Sequence, residues 1–227
     1  MMKSVVVTID GPAGAGKTTV SRQLAEALQY RYVDTGSLYR AVAFSALEAG
    51  ISPTDDEGLK GLCQNLNLNY TIANGGSRLI LNGTDITDKI RTPEISMAAS
   101  AVSARPVVRE FLLDIQKRMG RDKAAVFEGR DMGTVVFPNA EVKFFLDASP
   151  KIRALRRYRE LEGKGEQSLQ DVEREMARRD ENDSTRALAP LKPAEDAIYV
   201  DSSDIPVAQV VATMKRIVET RINTSTE

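Results

Sequence analysis

With 227 residues, 42% hydrophobic and 28% charged, the sequence is that of an ordinary soluble globular chain: one large domain, or one domain carrying a small insertion. The absence of histidine excludes a Ser-His-Asp or Cys-His site, an imidazole general base and a His-ligated zinc. A net charge of −1 argues against nucleic acid or a membrane surface as partner, and a single cysteine, Cys63, excludes an internal disulfide and suits a reducing cytoplasm.

The first apolar run, Ser4 to Ile9, is about six residues long, too short for a signal-peptide core or a membrane span, and it reads as a buried strand. Lys17 to Leu28 has helical periodicity, with Val20, Leu24, Ala27 and Leu28 on one stripe. Tyr32-Val33 is a short strand and Ser37 to Ala49 a helix. Thr54-Asp55-Asp56-Glu57 has capping-box spacing, which makes Thr54 the expected cap of another short helix bearing Cys63. Leu68 to Ala73 and Arg78 to Leu81 then read as strands joined by Asn74-Gly75-Gly76-Ser77, with Asn82-Gly83 as a further turn. They suggest a small antiparallel insertion over about residues 65–92.

Helices follow at about 93–103 and 107–119, separated by Arg105-Pro106. Ala124 to Phe127 and Val142 to Leu146 are buried strands. Ser149-Pro150 opens an arginine-rich helix, Glu162-Gly163-Lys164-Gly165 breaks it, and a second helix runs from about Ser168 to Arg179. A strand at Ala197 to Val200 and a helix from about Val207 to Arg221 complete the chain; the residues from Asn223 onward are polar and expected to fray. Strands alternating with helices imply an α/β fold with five parallel strands flanked by helices.

Gly11-Pro12-Ala13-Gly14-Ala15-Gly16-Lys17-Thr18 matches G-x-x-x-x-G-K-[ST] in full, between a buried strand and an amphipathic helix. Glycines let successive N–H groups turn toward phosphate oxygens, and the helix N-terminus adds partial positive charge. Pro12 has no N–H, so the donors come from residues 13 to Thr19. Lys17 is placed to bridge the β- and γ-phosphates and Thr18 to offer its hydroxyl to Mg²⁺. The chain is expected to bind a nucleoside triphosphate.

No N-K-x-D motif for guanine is present, and Asp55-Asp56-Glu57-Gly58, a chance D-x-x-G, sits at a helix start. A small kinase fits the length and the arginine surplus, 20 of the 31 basic residues, of which eight lie between 153 and 186. About half of those eight are expected to be solvated surface charge. If the acceptor is itself a phosphate, its second pKa near 6 leaves it dianionic at pH 7, and it needs positioning and charge neutralisation instead of a general base. A kinase for another monophosphate or small metabolite remains an alternative. So does a binding module gated by nucleotide, although a switch has no need of an acceptor clamp.

Four stretches make the resemblance specific. They are Ile9 to Lys17; Asp34-Thr35-Gly36-Ser37-Leu38-Tyr39-Arg40; Glu128-Gly129-Arg130-Asp131-Met132-Gly133-Thr134-Val135-Val136-Phe137-Pro138; and Arg179 to Arg186 continuing through Pro190-Leu191 to Asp201. Over essentially its whole length the sequence resembles the bacterial cytidylate kinases. The resemblance implies the nucleoside monophosphate kinase fold as a single domain over 1–227, with a monophosphate-binding segment at about 35–105 that carries the β insertion and a short lid at about 153–168. It implies transfer of phosphate from ATP to CMP or dCMP with Mg²⁺, in pyrimidine metabolism, by a cytoplasmic monomer. Gly11 to Thr19 would bind ATP. Thr35, Gly36, Tyr39, Arg40, Ser100, Arg109, Arg130, Asp131, Arg179, Asp183 and Arg186 would bind CMP. Within that set, Arg40, Arg130 and Arg186 would clamp the acceptor phosphate, Ser100, Arg109 and Asp131 would read cytosine, and Arg179 and Asp183 would hold the sugar. Lys17, Arg130 and the lid arginines Arg153 and Arg157, one helical turn apart, would act on the transferring group.

The residues themselves support these roles unevenly. Arg130 and Asp131 follow a buried strand, at the carboxyl edge where ligands of open α/β sheets bind, although a plain ion pair would look the same. Glu128 has the place of a Walker B carboxylate, either holding a Mg²⁺-bound water or capping a turn. Arg40 lies one turn into its helix, facing phosphate or solvent. Ser100 and Arg109 carry no local signature. Of Arg174, Arg178 and Arg179, only Arg179 fits the family pattern.

Overall fold

The computed structural model describes residues 4–73, 76–161 and 167–224. The elements in chain order are β1 (Val6–Asp10), α1 (Lys17–Leu28), β2 (Arg31–Asp34), α2 (Thr35–Glu48), α3 (Asp56–Gln64), β3 (Leu68–Ala73), β4 (Gly76–Leu81) and β5 (Thr84–Asp85). They continue with α4 (Pro93–Ser103), α5 (Pro106–Gly120), β6 (Ala125–Glu128), a π-helical turn at Met132–Val136, β7 (Val142–Asp147), α6 (Pro150–Leu161), α7 (Leu169–Thr185), β8 (Ile198–Asp201) and α8 (Val207–Thr224). They form two compact units, Met1–Tyr32 with Asp122–Glu227, and Val33–Arg121.

In the first unit, the strands belong to a five-stranded parallel sheet of order β2-β6-β1-β7-β8. β1 lies at its centre, in register with β6 from Val6↔Ala125 to Ile9↔Glu128 and with β7 from Val7↔Val142 to Asp10↔Phe145. A strand covered on both faces has no polar side, which is why Val6 to Asp10 is buried throughout. Val5, Val7 and Ile9 pack with Val126, Val142, Phe144 and Leu146 against Val20 and Leu24 of α1 and Val210, Met214 and Val218 of α8. Because the strands are parallel, their carboxyl ends share one edge, and Asp10, Glu128, Asp147 and Asp201 all terminate strands there.

The second unit packs α2 to α5 around Leu38, Val42, Ala46, Leu59, Val102, Val108 and Leu112. The insertion is a three-stranded antiparallel sheet of order β3-β4-β5, with Tyr70 opposite Leu79. It is anchored to the unit, since Leu68, Leu79, Leu81 and Ile86 belong to the same core. Cys63 is buried in that core, and burial pushes its thiol up to about 11.

Local chemistry moves two boundaries from their expected places. Asp55, not Thr54, caps α3: its carboxylate accepts from the Gly58 N–H at 3.0 Å, while Thr54 bonds to Ser52. A carboxylate outcompetes the neighbouring hydroxyl at a helix start because it also meets the positive end of the helix dipole. α7 runs on past Arg179 to Thr185, where Ser184 and Thr185 bond back to the carbonyls of Asp180 and Glu181. At its other end a full capping box forms between Ser168 and Asp171. The expected break at Glu162-Gly163-Lys164-Gly165 and the turn residues Asn74-Gly75 lie outside the described residues, as do Met1 to Lys3 and the last three residues. Among the described residues no helix is long and apolar enough to cross a membrane.

Candidate active site

The glycine loop joins the central strand to α1, and its shape depends on positions that only glycine fills. Gly11 has φ +148°, and a Cβ there would stand 1.9 Å from the Leu146 carbonyl of β7. Gly14 has φ +72°, and a Cβ would meet the Arg153 carbonyl at 2.8 Å. The Ala13 carbonyl accepts from Arg153 Nη1 at 3.0 Å, and the Ala15 carbonyl from the Ser202 hydroxyl at 3.1 Å. Since the C=O of one residue and the N–H of the next point opposite ways, these bonds turn the Gly14 and Gly16 N–H groups to the other side of the loop.

Lys17 Nζ donates to the Pro12 carbonyl at 2.5 Å, and the side chain is buried. Burial and the nearby Arg130 and Arg179 guanidiniums push its ammonium down to about 7, although Glu128 and Asp10 pull the other way. The neighbouring hydroxyl, Thr18 Oγ1, donates to Glu128 Oε1 at 2.8 Å, and Tyr32 donates to Oε2 at 2.6 Å. Thr19 is exposed.

The turn after β6 is pinned from β1. Asp10 accepts from the Met132 N–H at 2.9 Å and the Gly133 N–H at 2.8 Å, one on each carboxylate oxygen. Burial raises its carboxyl to about 6 despite both bonds. With that turn held, Arg130 Nε donates to Asp183 Oδ2 of α7 at 3.1 Å and Nη1 to the Gly129 carbonyl at 3.1 Å. Asp131, 2% exposed, lies 3.8 Å from Arg186 Nη2, and Arg186 Nε donates to the Ala189 carbonyl at 2.8 Å. Strand ends and the α7 face thus gather Lys17, Glu128, Arg130, Asp131, Arg179, Asp183 and Arg186 in the first unit.

The α6 arginines separate into three environments. Arg153 is buried, donating from Nη1 to Asp180 Oδ2 at 2.6 Å and from Nε to the Ala148 carbonyl at 2.9 Å, besides its bond to the loop. Arg157 pairs with Glu160 at 3.1 Å. Arg156 instead stands beside the loop: Nη1 is 3.7 Å from where a Gly16 Cβ would be, and Nη2 donates to the Ser202 carbonyl at 2.6 Å. Which face of α6 turns inward is decided by Ala154 packing on Val172 and Met176 of α7, a contact invisible to helical spacing alone.

In the second unit, Asp34 caps α2 by accepting from the Ser37 N–H at 3.2 Å and holds Arg40 Nη2 at 2.6 Å. Burial alone would raise its carboxyl, but the Arg40 and Arg91 guanidiniums keep it below the usual range. Gly36 leaves room for that pair, since a Cβ would lie 3.1 Å from Asp34 Oδ1 and 3.2 Å from Arg40 Nη1. Thr35 is buried at the first turn. Further along α2, Tyr39 presents its ring to the Arg109 guanidinium at 5.8 Å. Arg109 Nη1 donates to the Ser103 carbonyl at 3.0 Å, and the Ser103 hydroxyl donates to the Ser100 carbonyl at 2.8 Å. The helices therefore bring Tyr39, Ser100 and Arg109 into one connected group, and Thr35, Gly36 and Arg40 into another around Asp34.

Sequence reasoning missed Asp10, Tyr32, Arg156 and Ser202. Asp10 had a readable signal, a carboxylate closing an otherwise apolar strand directly before the glycine loop. The other three act through contacts far along the chain.

The chain matches the family model described as cytidylate kinase over residues 7–220. It is 49% identical over 220 residues to a cytidylate kinase of Geobacter sulfurreducens, covering 96% of this chain and 94% of that one. It is 42% identical over 222 residues to a cytidylate kinase of Halalkalibacterium halodurans, covering 97% and 100%. In fold it is similar to a shikimate kinase of Bacteroides thetaiotaomicron, with a TM-score of 0.50, 13% identity and coverage of 96% and 99%. A family model spanning nearly all of the sequence, with full-length relatives at this identity, places the chain in the cytidylate kinase family.

Proposed function

We propose that this chain transfers the γ-phosphoryl group of ATP to CMP, and to dCMP, forming ADP and CDP or dCDP. The observation that carries the reading is family membership joined to a fully formed phosphate loop with Lys17 buried at its mouth. A CMP phosphate oxygen attacks the γ-phosphorus, the bond to the β–γ bridging oxygen breaks, and ADP leaves with its electron pair. No side chain has to remove a proton, because the acceptor is already dianionic. What the protein supplies is position, positive charge and exclusion of water.

In the first unit, Gly11 to Thr19 bind the ATP phosphates and Lys17 offsets charge on the transferring group. Arg130 and Arg186 meet the acceptor phosphate, Asp131 accepts from the cytosine amino group, and Arg179 and Asp183 hold the sugar. Arg153 acts from beneath the loop; Arg157, now paired with Glu160, has to leave that partner to act. In the second unit, whose residues 35–105 are the acceptor segment, Thr35, Gly36 and Arg40 serve the phosphate and Tyr39, Ser100 and Arg109 the base. Residues 153–168 form the lid, of which 162–166 lie outside the described residues.

Thr18 and Glu128 suit a Mg²⁺ ion: both offer hard oxygen donors, they stand 2.8 Å apart, and Tyr32 fixes the carboxylate. Two protein groups are enough where phosphates and water complete the shell, and among the described residues no cluster of three or more metal-ligating acids, histidines or cysteines exists. When bound, the ion would neutralise β- and γ-phosphate oxygens. A cytoplasmic monomer is the working arrangement we assign.

The test is ADP release with CMP, dCMP, UMP, AMP and GMP as acceptors, with and without EDTA. The proposal requires ADP formation dependent on CMP and on the metal. ADP released equally without any acceptor, or faster with a purine monophosphate, would overturn it.

A further inference from the structure

One residue of the antiparallel insertion reaches the acceptor motif. Tyr70 in β3 pairs across the sheet with Leu79, and its ring packs against the core of the second unit. The hydroxyl extends beyond that core and donates to the Asp34 carbonyl at 2.6 Å. Ser37 Oγ donates to the same carbonyl, also at 2.6 Å, and lies in direct contact with the Tyr70 hydroxyl. A carbonyl oxygen has two lone pairs, so two hydroxyl donors saturate it and fix the plane of the Asp34–Thr35 peptide.

That peptide leads into the part of the chain on which the acceptor reading depends. The Asp34 side chain caps α2 through the Ser37 N–H and holds Arg40 Nη2, while the next two residues are Thr35 and Gly36. A rotation about the Asp34–Thr35 link would shift the Asp34 carboxylate and release Arg40 to other rotamers. Tyr70 comes from a separate element 36 residues further along the chain, and through it β3 bears on this turn. Packing alone would be met by phenylalanine; the hydroxyl is what packing does not need.

We infer that Tyr70 is a positioning residue for the acceptor, its hydroxyl holding the Asp34–Thr35 peptide and through it the Asp34–Arg40 pair, so that the inserted sheet serves CMP binding. The inference rests on the proposal that Arg40 meets the acceptor phosphate.

The experiment compares Tyr70→Phe, Tyr70→Leu and Arg40→Ala with the unaltered protein, measuring KM for CMP and for ATP, kcat, CMP affinity by calorimetry and the thermal midpoint. Loss of one buried hydrogen bond from a preorganised site predicts that Tyr70→Phe weakens CMP about fivefold. KM for ATP and kcat should stay close to their starting values and the thermal midpoint should fall by no more than about 2–4 °C, a split that a merely structural tyrosine would not produce. Tyr70→Leu should weaken CMP to the same degree and also lower the midpoint, since it removes the ring. Unchanged CMP affinity in Tyr70→Phe, or a loss shared equally between CMP and ATP, overturns the inference. If Arg40→Ala weakens CMP strongly while Tyr70→Phe does not, the positioning role alone fails. If Arg40→Ala leaves CMP binding intact, the acceptor reading fails and takes this inference with it.

Discussion

Replacing Lys17 by methionine should abolish phosphoryl transfer and, in the absence of nucleotide, make the protein more stable. Lys17 is 4% exposed, and burial with Arg130 and Arg179 nearby moves its pKa from 10.5 to about 7. Keeping it charged in such a place costs several kcal/mol relative to the unfolded chain, at about 1.4 kcal/mol for each unit of lowering. Methionine keeps most of the side-chain volume and removes the charge; what is lost is the bond to the Pro12 carbonyl, about 1–1.5 kcal/mol. The balance favours the variant by roughly 3 kcal/mol, which for a chain of this size raises the thermal midpoint by about 6–12 °C. The sign follows from proton uptake. Between pH 7 and 10.5 the unfolded chain holds a proton on Lys17 that the folded one has released, so the stability of the unaltered protein rises with pH through that window and the variant's advantage shrinks. Scanning calorimetry at pH 6.5, 8 and 9.5, alongside a coupled ADP assay, measures both effects. A variant less stable than the unaltered protein at pH 6.5, or a gap that widens with pH, would refute the electrostatic argument; transfer by Lys17→Met would refute the catalytic one.

Asp10→Ala should lower stability by about 2–4 kcal/mol at pH 4, where the buried carboxyl is neutral and its removal relieves no buried charge, because it strips acceptors from two buried N–H groups that hold the Arg130–Asp131 turn; urea denaturation reads the loss. Equal stability would mean that water replaces the carboxylate. Arg156→Ala should raise KM for ATP several-fold and leave KM for CMP within twofold, since Arg156 lies against Gly16 and Ser202 in the first unit; steady-state kinetics with each substrate varied decides this. Asp131→Asn should narrow the CMP-to-UMP ratio of kcat/KM by an amount on the order of 1–3 kcal/mol, and an unchanged ratio would remove Asp131 from base reading. Cys63, buried with its thiol pushed to about 11, should react with a disulfide reagent at pH 8 only when the protein is unfolded; rapid labelling of the native protein would contradict its place in the core.

How much of this was readable in advance depends on the range of the contacts involved. The phosphate loop is contiguous, and strand, glycines and helix start all lie within the span from Val6 to Leu28, so its geometry could be expected from local rules. The antiparallel insertion announced itself through turn residues. Helix ends shifted where two capping residues compete, as with Thr54 and Asp55, or where hydroxyls bond back along the helix, as in α7. The α6 arginines show the limit most clearly. Spacing relates Arg153 to Arg157, while the contacts to the loop and to Ser202 are made by Arg153 and Arg156, with Ala154 packed on α7 between them. Ser100 and Arg109 entered only through resemblance, because what links them is the Ser103 carbonyl, a backbone atom with no sequence signature.

The arginines assigned to phosphate do not wait as bare cations. Arg40 rests on Asp34, Arg130 on Asp183, Arg153 on Asp180, and Arg186 lies beside Asp131. Binding a phosphate is then an exchange of anions rather than the filling of an empty positive site, and a ligand gains only the margin by which it outbids an internal carboxylate. A dianion, carrying twice the charge of one carboxylate, is the kind of ligand suited to that exchange. Such an arrangement filters ligands by charge before shape is consulted.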